Sequence, residues 1–77
     1  MRHNMAGNRR IAETEDFSVV QMSNGHIHVS GKTSGLAMHI SATVMYPQET
    51  LQALADEFQE TYTGRVEDTF TTLQALT

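Results

Sequence analysis

Phe17-Ser18-Val19-Val20-Gln21-Met22-Ser23-Asn24-Gly25-His26-Ile27-His28-Val29-Ser30 decides the fold. Two short runs rich in β-branched and aromatic residues flank an Asn-Gly pair. That dipeptide suits a two-residue type I′ hairpin turn, because both central residues of the turn need positive φ. The reading predicts strands at 17–22 and 26–30. A two-residue turn pairs Met22 with Ile27 and Val20 with Val29 on the core side. It leaves Phe17, Val19 and Gln21 on the opposite face, together with His26 and His28.

Downstream, Gly31-Lys32-Thr33-Ser34-Gly35 is a loop by composition. Its Gly-Lys-Thr order is that of a phosphate-binding loop. The first glycine of that motif should stand at position 26, which is His26, and a strand rather than a helix follows, so the phosphate reading fails. From Leu36 to Tyr46 the residues alternate, with Leu36, Met38, Ile40, Ala42, Val44 and Tyr46 on one face. A period of two predicts a strand with one buried side, bent or split in the middle if there are four strands.

Pro47 then opens a helix in which Leu51, Leu54, Ala55, Phe58 and Tyr62 form the apolar stripe and Gly64 supplies the stop. A second helix is expected over 65–75, with Val66, Phe70 and Leu73 as its stripe. Residues 1–16 are polar and aperiodic and are expected to be flexible. The predicted fold is α+β: a three- to four-stranded antiparallel sheet, begun by an N-terminal hairpin, packed against two C-terminal α-helices. Residues 17–77 form its single domain.

A chain of 77 residues is one domain at most and buries only roughly 60% of its unfolded surface. It has no cysteine, so neither a disulfide nor a thiolate metal site reinforces it. No apolar run approaches the roughly 18 residues of a membrane span, and the charged N-terminus lacks the apolar core of a signal peptide. The expected location is the cytoplasm. The net charge is −4 and unevenly spread: residues 1–34 carry +1 and residues 35–77 carry −5. Phosphate would repel the C-terminal half, and a basic groove would attract it.

Three constellations are candidates for function. If 31–35 closes a hairpin that pairs Ile27 and Val29 with Met38 and Ile40, His28 falls beside His39, and His26, His28 and His39 converge on one sheet face. His-x-His plus a third histidine on the next strand is one way to hold zinc or copper. The strands offer no carboxylate to orient such ligands, and the preferred reading is a partner-facing surface with no metal and no cofactor. With Phe17, Val19 and Gln21 beside the histidines, that face resembles an interface more than a solvated surface, although the N-terminal segment could instead fold over it. On the first helix Asp56, Glu57 and Glu60 form an acidic cluster. The candidate partner-binding set is therefore Phe17, Val19, Gln21, His26, His28, His39, Asp56, Glu57 and Glu60. Catalysis is not expected: there is no Cys nucleophile, no serine in a recognisable elbow, and little room for an acid–base pocket.

Two family resemblances frame these residues. Residues 38–76, read as strand–helix–helix, are similar to ribbon-helix-helix repressors. That likeness implies DNA binding through His39, Ser41 and Thr43, yet no basic residue lies in or beside the ribbon. The order from Phe17 onward resembles that of small phage anti-CRISPR proteins. Its points of similarity are Asn24-Gly25 in the first turn, the glycines of 31–35, Glu49-Thr50-Leu51 opening one helix, and Gly64-Arg65-Val66-Glu67-Asp68 opening the next. The resemblance implies a small inhibitor of a larger protein or nucleoprotein complex in a host cytoplasm; from the charge and the lack of an apolar span, no membrane contact and little direct nucleic-acid binding are expected. A third class is a self-assembling phage structural part. The uncharged strand at 17–22 would then be an open edge through which two copies pair.

Overall fold

The computed structural model describes residues 9–62. They form four strands and one helix: β1 (Arg10–Glu13), β2 (Phe17–Gln21), β3 (Ile27–Gly31), β4 (Ala37–Ile40) and α1 (Gln48–Thr61). The strands make an antiparallel meander in the order β1-β2-β3-β4. The α+β class and the antiparallel sheet are as expected. The second helix expected over 65–75 and the Gly64 stop lie outside the described residues.

β1 corrects the expectation that the chain stays flexible through Asp16. Thr14-Glu15-Asp16-Phe17 is a tight turn: the Thr14 N–H donates to Phe17 O at 2.8 Å, and the Phe17 N–H donates to Thr14 Oγ1 at 3.1 Å. It returns Arg10–Glu13 alongside β2, pairing Ile11 with Val20 and Ala12 with Val19. β2 is thus an interior strand, not the open edge expected.

The Asn24-Gly25 hairpin forms, but with a three-residue loop. The Met22 N–H donates to His26 O (2.8 Å) and the Gly25 N–H to Met22 O (2.9 Å). Gly25 has φ 98°, whereas Asn24 does not have positive φ. A turn in which only the last loop residue is left-handed is the three-residue type with a glycine bulge, not type I′. The additional residue shifts the pairing by one, to Val19↔Val29, Val20↔His28 and Gln21↔Ile27. Because side chains alternate, that shift turns all of β2 over. Phe17, Val19 and Gln21 face the core, at 4%, 0% and 0% exposure. This corrects their placement on the outer face.

The turn at 31–35 behaves as predicted. Gly35 takes φ 79°, the Gly31 N–H donates to Leu36 O (2.8 Å), and Ile27 pairs with Ile40 and Val29 with Met38. β4, however, ends at Ile40 rather than Tyr46. Beyond it the chain meets Gln21, the buried polar side chain among the described residues. Its Nε2 donates to Gly25 O (2.9 Å) and Val44 O (2.8 Å), and its Oε1 accepts from the Tyr46 N–H (3.0 Å). Val44 O and the Tyr46 N–H thus bond this amide instead of a neighbouring strand. Val44, expected inside, is 57% exposed, while Ala42 and Tyr46 still pack on the core.

Helix α1 starts after Pro47, whose carbonyl accepts from the Thr50 and Leu51 N–H groups. Leu51, Leu54, Ala55 and Phe58 are fully buried against β1 and β2. The Phe17 ring meets Phe58 at 5.8 Å and stands edge-on to Tyr62 at 5.7 Å. Three glutamines, at 48, 52 and 59, flank this stripe. Gln48 Nε2 donates to Ile11 O (2.6 Å) and Gln52 Nε2 to Glu13 O (3.0 Å). Gln59 grips Asp16 twice, accepting from its N–H and donating to its carboxylate. The helix thereby closes the outer edge of β1. Tyr62 is extended (φ −75°, ψ 118°) and ends α1.

Candidate interaction surfaces

With α1 on one face of the sheet, the other face is bare among the described residues. The strand registers align Ile11, Val20, His28 and His39 in one cross-strand row, and Glu13, Ser18, Ser30 and Ala37 in the next. Ile11 is 46% exposed. A shallow open depression runs between His28 and His39 on one side and Ser30 and Ala37 on the other.

The three histidines converge as the pairing of β3 with β4 predicts. His28 and His39 are opposite each other. The hydrogen-bonded pairs on this ladder are Gly31/Leu36, Val29/Met38 and Ile27/Ile40, so His28/His39 is a non-hydrogen-bonded pair, the type whose side chains stand closest. Their rings lie 4.8 Å apart at 60°. His26 sits just before β3, where its N–H donates to Asn24 Oδ1 (3.0 Å) and its carbonyl accepts from Met22. From there its ring meets His39 edge-on at 4.8 Å, with His26 Nδ1 3.2 Å from His39 Nε2.

Asp56, Glu57 and Glu60 lie on the far side of the molecule. The buried stripe of α1 points at the sheet, so these exposed carboxylates point away from it, together with Glu49. The nine candidate residues therefore divide three ways. Phe17, Val19 and Gln21 are core; His26, His28 and His39 mark the outer sheet face; Asp56, Glu57 and Glu60 mark the outer helix face. A single flat partner cannot cover the last two groups together.

Two residues of the outer sheet face, Ile11 and Val20, escape sequence reasoning. A two-residue turn puts Val20 in the core, and Ile11 stands in a segment with no period. Ser41 and Thr43, which a DNA-reading ribbon would need, fall beyond the end of β4. Among the described residues no three His, Cys, Asp or Glu side chains converge to hold a metal ion, and no helix is long and apolar enough to cross a membrane. Compared with known proteins, the chain matches no family model, no curated protein and no solved structure.

Proposed function

We propose that this is a small, acidic, non-catalytic binding module that docks on a basic groove of a larger protein or nucleoprotein complex and inhibits or adapts it in the cytoplasm. This is the mode of the phage anti-CRISPR proteins whose element order it resembles. One observation carries the reading: the outer face of α1 is acidic and uncompensated. Glu49, Asp56, Glu57 and Glu60 are exposed, and α1 contains no Lys or Arg. The ion pair among the described residues, Lys32 with Glu13 at 3.6 Å, lies elsewhere.

A helix face that meets only water gains from opposite charges spaced four apart. Here Asp56 and Glu60, four apart, repel. Glu57 and Glu60 also stand near the C-terminal end of α1, where the helix dipole disfavours negative charge. An arrangement that weakens its own helix suits a surface whose compensation comes from a partner. The same charge opposes direct contact with nucleic-acid phosphates.

The inner face of β4 supports the second helix as part of this domain. α1 lies over β1 and β2, and Leu36, Met38 and Ile40 are only partly buried. The stripe Val66, Phe70 and Leu73 is of the kind that would cover them.

The test is a pull-down with tagged full-length chain from extract of the source cells, with and without nuclease. The expected result is a stoichiometric protein complex that survives nuclease and is weakened by the triple change D56K/E57K/E60K, with a flatter salt dependence. Unchanged capture by the triple variant would reduce the acidic face to a solvated surface and overturn the reading.

The edge of β4 favours a second reading, a self-assembling part. On β1 the outward carbonyls of Ile11 and Glu13 are taken by Gln48 and Gln52. On β4 the backbone groups of Ala37 and His39 point outward, and none of the four residues Ala-Met-His-Ile carries a fixed charge to deter pairing. Light scattering decides: a dimer rising with concentration supports edge pairing, and a monomer at the highest soluble concentration removes it.

A further inference from the structure

The facing nitrogens of His26 and His39 stand at a spacing that fits either a hydrogen bond or a shared metal ion. We infer that they form a two-imidazole clamp for a tetrahedral divalent transition-metal ion, zinc(II) in particular. A tetrahedral ion with Zn–N bonds of roughly 2.0–2.1 Å sets its donors about 3.3 Å apart. His26 Nδ1 and His39 Nε2 stand 3.2 Å apart. The two rings meet at 80° with their centroids 4.8 Å apart.

Both backbones are held before any ion arrives. His26 is fixed by the Asn24 side chain on its N–H and by Met22 on its carbonyl. His39 is fixed by its place opposite His28. Neither ring has a carboxylate or a cation as a hydrogen-bonding partner among the described residues; each has the other. Binding needs no net proton release from the neutral pair. One imidazole changes tautomer, so that the N–H protons reside on His26 Nε2 and His39 Nδ1 while the facing nitrogens donate their lone pairs. Imidazole donors select copper, nickel and zinc over magnesium and calcium, which take oxygen ligands.

No third protein ligand converges with these two among the described residues, and His28 packs beside the His39 ring instead. The remaining coordination positions go to water or to a donor from another molecule. The clamp is therefore exchangeable, and it lies on the outer sheet face rather than in the core.

The experiment is a titration of uniformly ¹⁵N-labelled full-length protein with zinc chloride, followed through the imidazole nitrogens, with magnesium chloride as the control. Zinc should shift His26 Nδ1 and His39 Nε2, and magnesium should not. H26A or H39A should each abolish the response, while H28A should retain it. H3A, which removes the histidine outside the described residues, should also retain it. Far-UV circular dichroism reports whether each variant folds. In the wild-type protein, unmoved His26 and His39 nitrogens at millimolar zinc would leave the contact a plain N–H···N hydrogen bond and overturn the clamp. A response that survives H26A and H39A but is lost in H3A would do the same.

Discussion

Gln21 places a side-chain amide where the strand pattern calls for an apolar residue, and it uses two donors and one acceptor there. Replacing it with Leu fills similar volume but orphans Gly25 O, Val44 O and the Tyr46 N–H. The expected cost is about 2–4 kcal/mol in urea unfolding, a large share of the stability of so small a domain. A loss below about 0.5 kcal/mol would mean that water replaces the amide. The two left-handed glycines make a matched pair. A Cβ on Gly25 would stand 2.6 Å from Ala42 O, whereas one on Gly35 meets nothing within 4 Å. Gly35→Ala should cost about 1–2 kcal/mol for the left-handed backbone alone. Gly25→Ala should cost distinctly more, because the segment 41–43 must also move. Equal costs would show that this close approach is soft.

At the scale of elements, the loop of one hairpin sets which side of β2 is inside. Phe17→Ser with Val19→Ser should unfold the protein, since each removes a core side chain at a cost of several kcal/mol. Ile11→Lys with Val20→Lys should leave the circular dichroism spectrum unchanged and shift stability by less than about 1 kcal/mol. The reverse outcome would restore the two-residue turn. The glutamine row of α1 does for β1 what a further strand would do. With Gln48→Ala and Gln52→Ala together, the carbonyls of Ile11 and Glu13 return to water. Global stability should fall by only about 1–2 kcal/mol, but β1 amides should exchange hydrogen faster than those of β2 and β3. Unchanged β1 protection would assign its docking to Ala12 and Arg10, whose Nη1 donates to Tyr46 O at 2.8 Å.

At the scale of the molecule, α1 over one side of the sheet gives the described residues two outward faces of different chemistry. The histidine face has no fixed charge at His26, His28 and His39, and the helix face has four carboxylates. A short oligolysine should perturb backbone amides around Asp56–Glu60 and leave those of Val20 and His28 in place, with an effect that fades as salt is raised. Perturbation of both faces at one stoichiometry would mean that the helix surface does not act alone.

The one-dimensional patterns determined the α+β class, the hairpin sites, the convergence of the three histidines and the acidic stripe of α1. Each rests on contacts close in sequence or on a strict period: the 31–35 turn brings His28 to His39, and 3.6 residues per turn gather Asp56, Glu57 and Glu60. Tertiary structure alone decided the rest. Asn-Gly serves both two- and three-residue turns, and local sequence leaves their energies close. The choice falls to whichever register buries Phe17 and Val19 under Phe58 and gives Gln21 its three partners from residues 25, 44 and 46. Ala12 and Ile11 had no readable period because a four-residue strand is too short to display one, and the carbonyls that tie β1 down are met by glutamines 37 and 39 residues away. Which face of β2 is buried, where β4 ends and how the outer edge of β1 is closed are settled by burial and hydrogen bonding across the chain, and a pattern read along it cannot contain them.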